Sequence, residues 1–211
     1  MTASETAFDR QAHWQHVYTS KDEQAVSWFE AVPSVSLDLI RATGVGPDAA
    51  IIDIGGGAAR LADALLDDGF RDLTVLDLSA EALEKAKARL GARAASVQWV
   101  TADVTTWQPD RHFDVWHDRA ALHFLTDAQA QAAYAERVTR AVKPGGHVII
   151  FTFAPDGPER CSGLPVVRHD AASLSKLLGS AFELIESRRH DHHTPGGAVQ
   201  RFQFSCFRRV A

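Results

Sequence analysis

Four carboxylates in the middle of the chain stand at or just beyond the ends of short apolar runs. Asp53 lies in Ile51-Ile52-Asp53-Ile54, Asp77 follows Leu73–Leu76, Asp103 follows Gln98-Trp99-Val100, and Asp118 follows Phe113-Asp114-Val115-Trp116. Asp53 runs directly into Gly55-Gly56-Gly57, a turn in which missing Cβ atoms let the backbone bend and a ligand approach. Asp77 stands 20 residues past Gly57, a spacing that suits a carboxylate accepting both hydroxyls of a ribose. Asp103 is placed to accept a hydrogen bond from an adenine amine. Four like charges along one edge would repel a pyrophosphate. They suit a ligand that carries hydroxyls, amines and a positive charge.

Those residues need a scaffold that brings strand ends together. Ala50–Ile54, Leu73–Leu76, Val97–Val100, Phe113–Trp116 and Val148–Phe153 have the length and composition of buried strands. Helical patterns alternate with them. Leu61, Leu65 and Leu66 share a face that ends near Gly69; Leu83, Ala86 and Leu90 share another, opened by Ser79 and closed by Gly91. Thr126 and Gln129 read as a capping box for a helix carrying Tyr134, Val138 and Val142. This alternation implies a parallel sheet covered on both faces, with ligands beyond the carboxyl ends of its strands.

Towards the end, Asp170 is expected to cap a short helix carrying Leu174, Leu177 and Leu178. Phe182–Arg188 and Val199–Arg208 then read as an antiparallel hairpin whose long loop contains Pro195-Gly196-Gly197 and the histidines 190, 192 and 193. The first 45 or so residues read as helical, with Trp14, Tyr18, Trp28 and Phe29 as a possible lid. The expected organisation is one domain: a lid region over 1–45, a cofactor-binding core over 46–155, and an acceptor-side loop, helix and hairpin over 156–211.

Asp53-x-Gly55-x-Gly57, Asp77, Asp103 and the later Lys143-Pro144-Gly145-Gly146 resemble the motif series of class I S-adenosylmethionine-dependent methyltransferases. The resemblance covers residues 45–155 in detail, with Ala59 and Arg60 departing from the family's third glycine. It implies a seven-strand α/β sheet in the order 3-2-1-4-5-7-6, the last inserted strand antiparallel. It also implies that Asp53 and Gly55, Gly56 and Gly57 hold the methionine part, Asp77 with Leu78 the ribose, and Asp103 with the Val104 amide the adenine. Lys143–Gly146 would be a structural turn. Trp14 and Tyr18 would border the cofactor.

A narrower likeness concerns the acceptor. Trp116-His117-Asp118-Arg119-Ala120-Ala121-Leu122 resembles a stretch of the thiopurine methyltransferase family, and Asp156–Val167 resembles that family's loop after the fifth strand. The same stretch, with Trp14 and Tyr18, is similar to lysine methyltransferases acting on citrate synthase or elongation factors. The likeness places Asp118 beside the transferred methyl, with His117 as a second candidate base. Arg119, Trp28 and Cys161 become candidate acceptor contacts, and Arg160 beside Cys161 is a feature that can lower a thiol pKa. A small-molecule acceptor, thiol or otherwise soft, is the first expectation and a protein lysine the second. A nicotinamide-binding Rossmann domain would want glycine where Arg60 stands, and a donor-binding module without turnover is the non-enzymatic alternative. No metal site is expected.

Composition narrows the field further. The 211 residues carry 22 basic and 27 acidic side chains, a formal charge of −5 that argues against nucleic acid as the partner. No apolar run approaches the ~18 residues of a membrane span. Two cysteines are too few for a disulfide framework, which points to a reducing, cytoplasmic setting. Oligomeric state is not legible.

Overall fold

The computed structural model describes residues 9–211. The five parallel strands are β1 (Ala50–Ile54), β2 (Asp72–Asp77), β3 (Val97–Thr101), β4 (Phe113–Arg119) and β5 (Val142–Phe153). They are followed by β6 (Phe182–His193) and β7 (Val199–Arg209), which form the terminal hairpin. The sheet order is β3-β2-β1-β4-β5-β7-β6, and β7 enters antiparallel to β5. This is the mixed seven-strand arrangement the motif series implied.

Both faces of the sheet are covered. Helices α2 (Ser34–Ala42), α3 (Leu61–Asp67) and α4 (Ala80–Leu90) bury Leu39, Ile40, Leu61, Leu65 and Leu83 against Ile51, Val75 and Val115. On the other face, α5 (Ala128–Ala141) and α6 (Ala171–Leu178) bury Tyr134, Val138 and Leu174 against Ile52, Trp116 and Ile150. Successive strand residues point to opposite faces, so continuous apolar runs feed both layers. Remaining α1 (Arg10–Ser20) docks on α4, where Gln15 Oε1 accepts from Ser79 Oγ at 3.0 Å. No helix of the described residues is long and apolar enough to cross a membrane.

Several expected boundaries move. The N-cap of α5 is Asp127, whose side chain accepts from the Ala130 amide; Thr126 lies one residue outside the cap. A carboxylate beside the unpaired first-turn amides explains the shift. Asp170 caps α6 as expected, in a capping box completed by Ser173. Lys143–Gly146 forms no separate turn. It lies inside β5 as an irregularity, with Gly145 at φ +79° and the β4–β5 register slipping between Phe113 and Val115.

The terminal hairpin also differs from the expected long loop. Pairing runs to His193 opposite Val199, and the Thr194 amide donates to the Ala198 carbonyl across the turn. The three histidines therefore sit on a strand, where alternate side chains turn inward. His192 is buried, and its Nε2 pairs with the Ser27 carbonyl oxygen at 2.7 Å.

Candidate functional site

A cavity of about 860 Å³ opens at the carboxyl ends of β1, β2, β3 and β4. It sits where ligands bind in open α/β sheets. Gly55, Asp77, Leu78, Asp103 and Val104 line one side; Arg119, Cys161, Phe124, His123 and Phe202 line the other. Trp14, Tyr18 and Trp28 also line it. Ten of the residues singled out from sequence thus share one hollow. Asp53, Gly56 and His117 border a second, smaller recess behind the glycine turn, and Gly57 lines neither.

Asp77 is the most exacting of these groups. Its Oδ1 accepts from the Ser79 amide at 2.7 Å, and the side chain is almost wholly buried. Burial, helped by the charge of Asp53, pushes its pKa up to about 7 against the pull of the Ser79 and Leu78 amides. Its Oδ2 lies 2.8 Å from where a Cβ on Gly57 would stand, and Gly57 adopts φ +44°. Only glycine meets both conditions at that position. At Gly56 a Cβ would come within 2.5 Å of Asp53 Oδ2. The glycine turn therefore wraps two carboxylates closely. A buried carboxylate facing a cavity beside that turn fits the hydroxyls of a ribose.

Asp103 is held differently. Its Oδ1 accepts from the amide and hydroxyl of Thr105, and its Oδ2 pairs with Arg10 at 2.7 Å. Arg10, Trp14 and Tyr18 recur every four residues on α1, so one stripe of that helix faces the cavity. Sequence reasoning missed Arg10, although the spacing was visible. Trp14 meets Phe124 edge-on at 4.9 Å and Trp28 at 5.8 Å, and Tyr18 meets Trp28 at 6.3 Å. These rings roof the hollow. Burial, followed by the nearby Asp77 charge, holds the Tyr18 phenol far above its ordinary pKa, so it stays neutral. Because Arg10 ties α1 to Asp103 in the cavity wall, Arg10→Ala should speed both entry and exit of a ligand several-fold. Stopped-flow binding traces check this; unchanged rates would show that α1 does not gate the hollow.

The expectations for Asp118 and His117 are corrected. Asp118 does not line the cavity. It is fully buried, accepts from the Ala121 amide at 2.8 Å and the Leu122 amide at 3.1 Å, and receives the Tyr134 hydroxyl at 2.7 Å. Burial raises its pKa to about 6, opposed by the Tyr134 and Ala121 hydrogen bonds. It anchors the turn after β4 to α5. His117 points to the opposite face, between Asp53 Oδ1 at 2.7 Å and Ser36 Oγ at 2.9 Å. Neighbouring residues on one strand cannot serve a single reaction centre from opposite faces.

Arg119 pairs with Glu30 rather than with Asp118, and donates to the Trp28 carbonyl at 2.9 Å. Glu30 also meets His192 Nδ1 at 3.2 Å. Burial alone would raise Glu30, but the His192 hydrogen bond and the Arg119 charge outweigh it and hold it below the usual carboxylate range. The histidine cluster thus contributes a strut for the segment that carries Trp28. Cys161 lies in the wall, yet burial pushes its thiol up to about 11 despite the Ser27 hydrogen bond. Arg160 turns away to the Gly163 carbonyl and so does not activate this thiol.

A model of methyltransferase domains matches residues 51–146. The eEF1A lysine and N-terminal methyltransferase of Mus musculus is 25% identical over 159 residues, 72% of this chain. The chain spans only 22% of that relative's length. Among solved structures, one described as the conversion of a disulfide bond into a thioacetal group during echinomycin biosynthesis superposes with a TM-score of 0.75 at 19% identity. That match covers 94% of this chain and 92% of the other. The N-methyltransferase NodS from Bradyrhizobium japonicum, solved with S-adenosylhomocysteine, gives a TM-score of 0.73 at 17% identity, covering 96% and 100%. Sheet order, glycine turn and carboxylate spacing are those of the class I S-adenosylmethionine-dependent methyltransferase fold, and residues 51–146 match a methyltransferase-domain model.

Proposed function

We propose that the chain methylates a small molecule held between the adenosyl side of the cavity and its aromatic roof. The observation carrying this reading is the acceptor side of the hollow. It presents Trp14, Trp28, Phe124 and Phe202, an arginine already paired, and a protonated thiol, without a carboxylate. A lysine ammonium would want carboxylates to bind and to take its proton. The Asp156–Val167 loop contributes Cys161 to the wall, where that side chain is buried; Val166 packs on the core, and the Val167 amide donates to the His123 carbonyl at 2.8 Å.

Bound S-adenosylmethionine supplies an activated methyl group on a cationic sulfur. In this reading Asp77 accepts the ribose hydroxyls, Leu78 and Val104 flank the adenine, and Asp103 receives its amine once Arg10 yields. Gly55 lets the methionine part lie against the backbone, and Asp53 anchors that bend through His117. Trp14, Tyr18 and Trp28 exclude water and present aromatic faces, which attract a cation. No side chain at the acceptor side is placed as a strong base, so the protein's contribution is alignment and desolvation.

The likeness to the eEF1A methyltransferase favours a protein lysine as the second reading. Incubating the chain with methyl-labelled donor and a panel of aromatic thiols, phenols, heterocyclic amines and cell-extract protein separates the two. Label on a small molecule is the expected outcome. Label confined to lysine side chains of protein would replace this proposal with the second.

A further inference from the structure

One polar group in the wall of the cavity has no partner. His123, in the turn after β4, is fully buried, and both of its ring nitrogens lack a hydrogen bond. Its ring lies edge-on to Phe124 at 4.4 Å and against Phe153 at 4.9 Å. The Val167 amide fixes its backbone from across the wall. Leaving a buried imidazole unpaired is costly, and folded chains normally satisfy such groups. A leucine or phenylalanine here would complete the aromatic sleeve without that cost. The polar ring therefore asks for a partner that enters the cavity.

The charge state of that ring is settled by its neighbours. Burial, followed by the proximity of His169 and Arg119, pushes its pKa down to about 3, so the imidazole is neutral. Of those two, His169 is itself lowered by burial, and Arg119 is neutralised by Glu30. A neutral imidazole offers one donor and one acceptor, so it can pair with the O–H or N–H of an uncharged molecule. Phe124 meets the His123 ring edge-on, and Trp14 and Trp28 line the same cavity, rings that can stack or meet edge-on with a flat molecule. We propose that His123 is the acceptor-recognition residue, hydrogen-bonding the O–H or N–H of an uncharged, planar aromatic molecule held against Trp14 and Phe124. This rests on the small-molecule reading of the same hollow and narrows it.

Phenol and toluene test the proposal, because they share a shape and differ by one hydroxyl. Both are titrated calorimetrically into the full chain, with and without S-adenosylhomocysteine. The expected result is that His123→Phe lowers the phenol-to-toluene affinity ratio by about fivefold or more, the worth of one hydrogen bond. His123→Asn, which keeps a polar side chain, should retain part of the discrimination. In the unaltered protein, phenol but not toluene should move the His123 imidazole nitrogen resonances, a readout that needs no variant to fold. An unchanged ratio, unmoved resonances, or binding of neither probe would each overturn the assignment. Failure of S-adenosylhomocysteine to bind would instead strike at the donor site, and the titrations without it would still report on His123.

Discussion

Asp77→Ala should weaken S-adenosylmethionine binding by at least about 100-fold at pH 8, measured by calorimetry. A carboxylate accepting hydroxyls contributes roughly 1.5–3 kcal/mol per bond, and two bonds are at stake. The same group makes binding depend on pH. Burial raises the Asp77 pKa to about 7 in the free protein, and in the proposed binding mode its ionised form accepts the ribose hydroxyls. Affinity should therefore be flat above pH 7 and fall about tenfold per pH unit below it. The alanine variant should lose that dependence. Equal affinity in both proteins would remove Asp77 from the ribose site.

Stability should move the other way. A carboxylate whose folded pKa is raised from 3.8 to about 7 costs nothing while protonated. The cost grows as pH rises from about 4 to 7 and is constant above that. Without cofactor, Asp77→Asn should thus melt several degrees higher than the unaltered protein at pH 8, and at the same temperature near pH 4. Function here opposes stability, as it often does at binding sites.

The second large effect is at Asp118. Alanine there leaves the Ala121 and Leu122 amides and the Tyr134 hydroxyl unpaired in a dry interior. Breaking such a buried network costs about 3–5 kcal/mol. For a chain of this size that is a loss of roughly 10 °C in Tm. Thermal unfolding checks it, and donor affinity of the folded fraction should be nearly unchanged. Full stability with abolished transfer would restore the catalytic role that the sequence had suggested.

That reversal shows where sequence is informative. The sheet was legible because each buried strand is a short apolar run ending in a polar or glycine signal. Ser79, Gly91 and Asp170 marked helix ends because caps are local chemistry. Asp77 and Asp103 were legible because the spacing from the glycine turn fixes them on adjoining strands. Asp118 and His117 were not, because spacing says a residue is at a strand's end and not which face it takes. One slip of the alternation decides between cavity and core.

Contacts distant in sequence were also out of reach. Arg119 meets Trp28 and Glu30, and His192 meets Ser27, with no local pattern to announce either pairing. The histidines read as a loop because Pro195-Gly196-Gly197 suggested a wide connection, whereas the turn is narrow and the strand runs on to His193. Arg10 differs. Its four-residue spacing from Trp14 and Tyr18 lay in plain view, but a stripe mixing arginine with aromatics does not look like a core face.

The most direct test is a crystal structure of the chain with S-adenosylhomocysteine. The ribose hydroxyls should lie within hydrogen-bond reach of the Asp77 carboxylate, roughly 2.6–3.2 Å, with the adenine between Leu78 and Val104. A cofactor seated elsewhere, or a hollow still closed by Arg10 and Trp14 at saturating ligand, would contradict the account.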